Sequence, residues 1–414
     1  MVTVAHVSDT HLGKRPDDVR DMPPIDRRYR PLEDDFYHAW KLAVKEILDR
    51  RDEIDFVIHS GDFFDSPWSQ NPYPPPEAAR NVAAETLEQL QKAGIPVVII
   101  EGNHGCYLSY RVSTLNHYAI VFDNVHVFTY WDFVDAFKQD TPLKKSFDGF
   151  TLYAFPYVEP RFLESVHVLD QYRQWIRGTK LDHSQVNIAV SHGMQVDKTL
   201  DPNLLNIEFD YVALGHDHVS KKIAGNAWYA GSTERWSFKE AGDQKCFLVV
   251  QAERNHEPDV QAVPLPSRRQ MINEDVKIGS EDTAEEIIHR LNKVLDNHLL
   301  SKPFNYEEAA RVKIALEGST SYETLTRLYM SLEEFKHEGL TSPDLNVVQL
   351  KVGRALPERA ALPPTPSYID LEYLIEDPEE ELRRFLQKKE VGETYDLDLM
   401  VQLFNDALTK LGGS

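Results

Sequence analysis

Five short segments of the chain carry carboxylate, carboxamide and imidazole side chains at close spacing. In chain order they are Asp9-Thr10-His11, Gly61-Asp62, Gly102-Asn103-His104, His192-Gly193 and Gly215-His216-Asp217-His218. Each segment follows a short apolar run of the kind that forms a buried strand. Because open α/β sheets place their chemistry outside the carboxyl ends of their strands, we expect these side chains to converge at one edge.

The residue types in these segments indicate a site for two divalent cations. Mixed nitrogen and oxygen ligands without thiolate suit Mn²⁺, Fe²⁺ or Zn²⁺ and disfavour a structural zinc site of the cysteine type. Side chains two apart on a strand point the same way, so Asp9 and His11 can ligate one cation together. Two cations roughly 3.5–4 Å apart need one bridging carboxylate and can clamp both oxygens of a phosphoryl displacement. We expect Asp62 to be that bridge.

The elements between these segments predict an α/β fold. Amphipathic helices at 33–50 and 77–93 separate strands at 2–8, 55–60 and 97–100, which indicates right-handed crossovers and a largely parallel sheet. A further helix is predicted at 107–120. Later strands are predicted near 125–128, 150–155, 186–190, 209–214, 227–230, 246–251 and 258–264.

The composition changes at Ser267-Arg268-Arg269-Gln270. A helix opened by a capping box at Thr283 and Glu286 then alternates with strands and a second helix, which predicts a small α/β unit. Its other predicted elements are strands 276–278, 311–316 and 347–352 and helix 322–336. A proline-rich linker follows, and then two amphipathic helices at 379–389 and 396–410. Such a helical hairpin is too small to bury its apolar face alone, so it needs a partner.

Composition predicts a soluble globular protein. Hydrophobic residues make up 42% of the 414 residues, and no apolar run approaches the roughly 20 residues of a membrane span. Because the first residues already read as a strand, no signal peptide is expected. The two cysteines, Cys106 and Cys246, are far apart in sequence, which favours a reducing, cytoplasmic location.

The formal net charge of −22 argues against a protein that simply coats nucleic acid, which should be basic. DNA contacts would therefore depend on local basic clusters and on bound cations. The candidates lie in one polar loop and are Lys14, Arg15, Arg27, Arg28 and Arg30. The alternative is a solvated loop whose cations pair with the acidic residues around them, Asp17, Asp18, Asp21 and Asp26.

Taken together and in order, the five segments resemble those of the calcineurin-like metallophosphoesterases. The resemblance tightens at Tyr229-Ala230-Gly231-Ser232-Thr233-Glu234-Arg235 and at Cys246-Phe247-Leu248-Val249-Val250. With the small α/β unit and the helical hairpin, the chain resembles the SbcD-type nuclease subunits of double-strand-break repair complexes. These include the meiotic-recombination-eleven proteins. The likeness is specific in residues 1–250 and looser beyond them.

This resemblance implies a four-layer α-β-β-α metallophosphoesterase core with a smaller α/β capping domain and a C-terminal helical hairpin. It divides the chain into a nuclease domain at 1–266, a capping, DNA-binding domain at 267–357, a linker at 358–367 and an ATPase-binding hairpin at 368–414. It also implies a homodimer that binds DNA ends and an SMC-like ATPase with long coiled coils. The protein would be cytoplasmic, and associated with the nucleoid in a prokaryote.

The resemblance also assigns roles to the site residues. Asp9, His11 and His218 would hold one cation, Asn103, His192 and His216 the other, and Asp62 would bridge them. The cations implied are two Mn²⁺, with Mg²⁺, Fe²⁺ or Zn²⁺ as alternatives. His104 would face the scissile phosphate, stabilise the developing charge and protonate the leaving oxygen.

Two positions depart from the family pattern. Gly105 follows His104 where family members often carry Asp or Glu, and Asp65 stands where some nucleases of the family carry His. We expect the Asp65 carboxylate to accept a hydrogen bond from His104 and to favour its protonated, acidic form. Both His104 and Asp65 are therefore candidate catalytic residues.

Three functions remain open from the sequence. The leading one is a Mn²⁺-dependent DNA exonuclease and endonuclease. The second is a generic phosphodiesterase or phosphatase acting on small nucleotides, against which the additional domain and the hairpin argue. The third is a mainly structural subunit that scaffolds the ATPase, against which the complete set of expected ligands argues.

Overall fold

The computed structural model describes residues 1–21, 32–68, 71–105, 111–164, 166–194, 200–353 and 356–357. Several features of the sequence analysis lie outside these residues. They are Cys106, the basic residues Arg27, Arg28 and Arg30, the linker at 358–367 and the hairpin at 368–414.

Sixteen strands and eight α-helices are formed by the described residues. The strands are β1 (Val2–Val7), β2 (Phe56–His59), β3 (Val97–Ile100), β4 (Val125–Phe128), β5 (Lys144–Phe147), β6 (Phe150–Phe155), β7 (Val186–His192), β8 (Tyr211–Gly215), β9 (Lys221–Ala224), β10 (Ala227–Tyr229), β11 (Lys245–Ala252), β12 (Asp259–Leu265), β13 (Met271–Ile278), β14 (Ala310–Thr320), β15 (Val347–Val352) and β16 (Leu356–Pro357). The helices are α1 (Glu33–Asp49), α2 (Glu77–Lys92), α3 (Asn116–Val121), α4 (Tyr130–Lys138), α5 (Pro160–Leu163), α6 (Val166–Arg177), α7 (Ala284–Asn297) and α8 (Tyr322–Thr341). Short 3₁₀ helices cover Pro202–Asn206 and Phe238–Glu240.

Two six-stranded sheets form the larger part of the fold. The first has the order β12-β11-β1-β2-β3-β4 and is parallel from β1 to β4. The second has the order β5-β6-β7-β8-β10-β9 and is parallel from β6 through β7 and β8 to β10. The largely parallel sheet predicted from the alternating helices and strands is confirmed.

The two sheets pack face to face through a shared apolar core. Val4 and Ile58 from the first sheet belong to the same buried cluster as Ile188 and Ala213 from the second. Helices α1 and α2 cover the outer face of the first sheet, and α4 and α6 cover that of the second. The four layers α-β-β-α expected from the resemblance are therefore present. Strands buried on both faces read as continuous apolar runs, which is why β1, β2 and β3 were recognisable in the sequence.

A third sheet, in the order β13-β14-β15 with β16 beside β14, follows the two larger ones. Helices α7 and α8 pack on it around a separate apolar cluster. The capping box predicted for α7 is confirmed. The Thr283 side chain accepts a hydrogen bond from the main-chain N–H of Glu286, and the Glu286 side chain accepts one from the main-chain N–H of Thr283. An ion pair between Arg269 and Asp35, 2.7 Å long and buried on both sides, joins this part of the chain to α1.

The helix predicted at 107–120 is confirmed for 116–120 and is wrong for 111–115. Residues 111–115 are not helical, and α3 begins only at Asn116. The Ser113 hydroxyl accepts a hydrogen bond from the main-chain N–H of Leu115, and such local bonds compete with helix formation. Helices α4 and α6 were not predicted, although α4 opens with a capping box at Thr129 and Asp132.

His6 on β1 connects the two large sheets through buried hydrogen bonds. Its Nδ1 lies 2.7 Å from the Tyr211 hydroxyl on β8, and its Nε2 lies 2.8 Å from the Ser60 hydroxyl after β2. Burial lowers the pKa of His6 to about 3. The imidazole is therefore neutral in the folded protein at neutral pH, so that one nitrogen donates and the other accepts.

Acid should destabilise the protein through His6. Its folded pKa of about 3 is below the ordinary value of 6.5, so the unfolded chain alone binds this proton between those two pH values. The contribution of the neutral ring is thus present above pH 6.5 and is lost as the pH falls toward 3. It amounts to about 2 kcal/mol between pH 7 and pH 5. In urea denaturation, His6→Asn should reduce the acid-induced loss of unfolding free energy by about that amount.

The matched control is His183→Asn, which replaces an exposed imidazole. It should leave the acid dependence of stability at the parent value. The same acid-induced loss of stability in the parent and in His6→Asn would show that His6 does not cause it.

Candidate metal centre

The predicted site residues meet where the strand ends of the two large sheets come together. Donor atoms lie within 4.8 Å of one another in three groups: Asp9, His11 and His218; His11, Asp62 and His104; and Asp62, His192 and His216. The remaining predicted ligand joins them, because Asn103 Oδ1 lies 3.0 Å from His192 Nε2 and 2.8 Å from His216 Nδ1. All seven predicted metal ligands and His104 are therefore brought together.

The backbone turns sharply at several of these residues. Asp9, His11, Asp62 and His216 have φ angles of +50°, +43°, +53° and +93°, a region that non-glycine residues seldom adopt. Each such conformation costs about 1–2 kcal/mol, and this strain tends to collect at functional sites. The main-chain bond from His11 N to the Asp62 carbonyl, 3.0 Å long, fixes the two turns side by side.

The first pocket is formed by Asp9, His11 and His218. The Nε2 atoms of His11 and His218 lie 3.1 Å apart, and each lies 3.9 Å from Asp9 Oδ1. Asp9 and His11 follow β1 of the first sheet, whereas His218 follows β8 of the second. The pocket therefore exists only because the two sheets pack against each other.

The second pocket is formed by Asn103, His192 and His216, and the Asp62 carboxylate stands between the two pockets. One carboxylate oxygen, Asp62 Oδ2, lies 3.8 Å from His11 Nε2 in the first pocket and 3.5 Å from His192 Nε2 in the second. The other, Oδ1, accepts the main-chain N–H of His104 at 2.8 Å, which fixes the orientation of the carboxylate.

Three of the imidazoles have an oxygen atom within 3.2 Å of the ring nitrogen that faces away from the site. His192 Nδ1 donates to the Ser60 carbonyl at 2.8 Å, which leaves Nε2 to face the site. His11 Nδ1 lies 3.2 Å from the Asp65 carboxylate, and His218 Nδ1 lies 3.2 Å from that of Glu240. Such partners fix the tautomer and raise the basicity of a metal-ligating imidazole.

Divalent cations fit this arrangement. Asp9 Oδ1 is buried and accepts no hydrogen bond within the part of the chain that is described, which is costly for a carboxylate without a cation beside it. Glycines leave the space in which the ligands sit. A Cβ on Gly61 would lie 2.1 Å from His192 Nδ1, and one on Gly102 would lie 2.1 Å from Asp62 Oδ1.

The electrostatics of the site match a bound cation. Burial opposes protonation of His192, but Asp62, together with Asp9 and the Ser60 carbonyl, outweighs burial and raises the pKa of His192 to about 9. Burial likewise opposes ionisation of Asp62, yet the surrounding imidazoles, His192 foremost, hold its pKa well below the ordinary value. The Asp62 carboxylate is therefore an anion that draws positive charge toward itself, a role that a divalent cation can fill.

The candidate catalytic residues have different partners from those expected. His104 Nδ1 donates to the main-chain carbonyl of Asp65 at 2.9 Å, whereas the Asp65 carboxylate is 3.7 Å away from it. That carboxylate lies closer to His11 and also accepts the indole N–H of Trp236 at 3.2 Å. The hydrogen bond predicted from His104 to the Asp65 side chain is thus replaced by one to its backbone.

The two described basic candidates differ in placement. Lys14 lies inside the site, with its Nζ 3.6 Å from the centre of the Trp236 ring and 3.9 Å from the Asp65 carboxylate. Arg15 points away and pairs with Glu33 at 2.8 Å.

Sequence reasoning missed four residues around the site: Trp68, Trp236, Glu240 and Lys245. Trp68 packs against the His104 ring with the ring centres 4.6 Å apart. The buried Lys245 donates to Glu240 at 2.7 Å. Trp236 and Glu240 lie in the loop between β10 and β11, and Lys245 begins β11. Trp236 and Lys245 directly adjoin the segments 229–235 and 246–250, and this proximity was the one sequence signal that could have found them.

The chain is similar to one protein family and to several named proteins. Residues 2–220, more than half of the chain, match the calcineurin-like phosphoesterase family. The chain is 27% identical to the "DNA double-strand break repair protein Mre11" of Thermoplasma acidophilum, over 77% of this chain and 78% of that one. It is 24% identical to the protein of the same name from Sulfurisphaera tokodaii, over 77% and 74%. It is 25% identical to a protein of Bacillus subtilis that is named as a subunit of the nuclease SbcCD, over 84% and 96%.

Gly102→Ala should weaken cation binding by displacing Asp62. The added Cβ would lie 2.1 Å from the Asp62 carboxylate and 2.5 Å from its main-chain nitrogen, and the backbone cannot yield as a side chain could. We expect the affinity for Mn²⁺, measured by isothermal titration calorimetry, to fall about tenfold or more. Gly225→Ala is the matched control, because a Cβ there meets no atom within 4 Å. Equal Mn²⁺ affinity in the two variants would refute the placement of Asp62.

Proposed function

The chain belongs to the calcineurin-like phosphoesterase family, and from this we propose that it is a DNA nuclease that hydrolyses phosphodiester bonds with two Mn²⁺ ions. The observation that carries the proposal is the position of Asp62. Its carboxylate stands between two groups of imidazole and oxygen donors, which is the arrangement that a pair of cations at one phosphate requires.

We assign the proposed metal ligands to two pockets, one for each cation. Asp9, His11 and His218 would hold one cation, while Asn103, His192 and His216 would hold the other, with Asp62 shared between them. Divalent cations, once bound, polarise a phosphoryl oxygen and make hydroxide available near neutral pH. Mixed nitrogen and oxygen donors suit Mn²⁺, and also admit Fe²⁺ or Zn²⁺.

His104 is proposed as the residue that acts on the substrate directly. Because its Nδ1–H is engaged by the Asp65 carbonyl, the ring is oriented and its Nε2 is the atom left for substrate. From there it can stabilise charge on the phosphate and donate a proton to the leaving oxygen. We assign Asp65 a positioning role, because its carboxylate faces His11 and Trp236 rather than His104.

DNA is the proposed substrate for two reasons. The similar proteins are named as DNA double-strand break repair proteins and as nuclease subunits, and they align over most of their length. Lys14 also places an ammonium group beside the candidate centre, where it could form an ion pair with a phosphate of the DNA backbone. We propose that Lys14 contacts the phosphate next to the scissile one, and that Arg15, Arg27, Arg28 and Arg30 contribute further along the strand.

Roles for the domains of the chain are proposed from its resemblance to the SbcD-type nucleases. Residues 1–266 are proposed as the nuclease domain and 267–357 as a capping domain that contacts DNA. Self-association is proposed through α2 and α3, supported by the exposed apolar side chains of Ile120 and Val121, 81% and 52% accessible.

Within the described residues, no helix is long and apolar enough to span a membrane. We place the protein in the cytoplasm, at the nucleoid in a prokaryotic cell.

Replacing His104 by alanine should separate cation binding from catalysis. We expect bound Mn²⁺ close to the parent value and cleavage of linear DNA reduced by about two to four orders of magnitude, the range for loss of an acid–base group. Cleavage is followed on a labelled duplex and on a single strand, and metal content by elemental analysis. Parental cleavage rates in His104→Ala would remove His104 from the mechanism.

The same assay tests the substrate class when bis-p-nitrophenyl phosphate is run in parallel. A nuclease should cleave DNA with Mn²⁺. Hydrolysis of the small ester together with no cleavage of any DNA would favour the alternative function, a phosphodiesterase acting on small nucleotides. The matched control for the variant is His183→Ala, an exposed imidazole before β7, which should cleave DNA as the parent does.

Deletion of residues 368–414 should abolish binding to an SMC-like ATPase while leaving DNA cleavage by the isolated nuclease intact. The two amphipathic helices predicted in this segment would present their apolar faces to the coiled coil of the partner, as in helix-in-groove recognition. Co-purification of the two proteins measures the interaction. Retention of the complex by the truncated chain would show that the contact lies elsewhere.

A further inference from the structure

One residue outside the ligand set contacts both carboxylates that stand behind the first pocket. The indole N–H of Trp236 donates to Asp65 Oδ1 at 3.2 Å, and its main-chain N–H donates to Glu240 Oε2 at 3.1 Å. Asp65 in turn faces His11 Nδ1, and Glu240 faces His218 Nδ1, each at 3.2 Å. Trp236 therefore contacts the carboxylate beside each of the two imidazoles of the first pocket.

Building on the proposed function, we propose that Trp236 is a positioning residue that selectively sets the affinity of the first pocket for its cation. It holds two carboxylates in the places from which they orient His11 and His218. Partners of this kind commonly change metal affinity tenfold to a hundredfold when removed.

The surroundings of Trp236 favour a fixed position. Lys14 lies over one face of its ring at 3.6 Å from the ring centre, and the rings of His11 and His218 both have their centres 6.0 Å from it. On the chain beside it, the carbonyl of Arg235 accepts a hydrogen bond from Arg311 on β14 at 3.3 Å. The loop is therefore held from the third sheet as well as from the site.

Trp236 contacts the first pocket and His104, whose ring centre lies 6.4 Å from that of the indole. His192 in the second pocket has a different partner, because its Nδ1 donates to the main-chain carbonyl of Ser60 at 2.8 Å. Loss of the Trp236 indole N–H should accordingly loosen Asp65 and His11 while His192 keeps its orientation. This predicts a change in one cation-binding step only.

Trp236→Phe removes the indole N–H and retains an aromatic ring. In calorimetric titration of the metal-free protein with Mn²⁺, we expect one of two binding steps to weaken about tenfold and the other to keep its affinity. His218→Asn and His192→Asn identify the steps, because each should eliminate a different one. DNA cleavage by Trp236→Phe should return toward the parental rate when the Mn²⁺ concentration is raised about tenfold, which a general loss of structure would not allow.

Trp228→Phe is the matched control. Trp228 lies on β10, and its indole N–H has no hydrogen-bond partner among the described residues, so both Mn²⁺-binding steps should be unchanged. Asp65→Asn, which keeps the size of the side chain and removes its charge, is the second variant should Trp236→Phe fail to fold, and it should weaken the same step.

The outcomes separate this inference from the function on which it rests. Two Mn²⁺-binding steps that weaken equally in Trp236→Phe, or that both stay at the parental affinity, would overturn the role of Trp236 and leave the proposed function standing. A parent protein that binds no Mn²⁺ at all would overturn both.

Discussion

The packing of one sheet against the other is the constraint on which the site depends. The first pocket takes Asp9 and His11 from the first sheet and His218 from the second, and Asp62 faces donors from both. Neither of the two large sheets contains a complete pocket. The apolar residues between the sheets therefore do more than stabilise the fold, since a shift of one sheet along the other by a fraction of a residue would separate the donors.

Hydrogen bonds of the buried His6 help to fix the position of one large sheet relative to the other. A buried polar group between two sheets costs stability unless it is fully hydrogen-bonded, and His6 meets that condition by contacting Tyr211 on one side and Ser60 on the other. Its bonds are directional, whereas apolar contacts are not. The fold thus combines a large non-directional core with a small polar connection close to Asp62, where accuracy matters most.

Much of the centre was predictable from the sequence because strand ends determine it. Asp62 and His104 were recognised from short motifs after apolar runs, and parallel strands bring such motifs to one edge whatever the intervening loops do. Trp236 and Glu240 could not be found in this way. Their contacts depend on how the loop after β10 folds back, which no local pattern encodes. The partner of Asp65 was misjudged for the same reason: sequence indicates that a carboxylate is near two imidazoles but not which one it faces.

The position of β1 within its sheet has a consequence for how the protein is made. This first strand pairs with β2 on one side and with β11 on the other, where Val2 lies opposite Ala252. During synthesis one edge of β1 therefore stays open until β11, some 250 residues further along the chain, has left the ribosome, and open strand edges invite pairing with other chains. Glu240 and Lys245 emerge just before that edge is closed. The carboxylate behind His218 and the second strand partner of β1 thus become available at nearly the same point of synthesis.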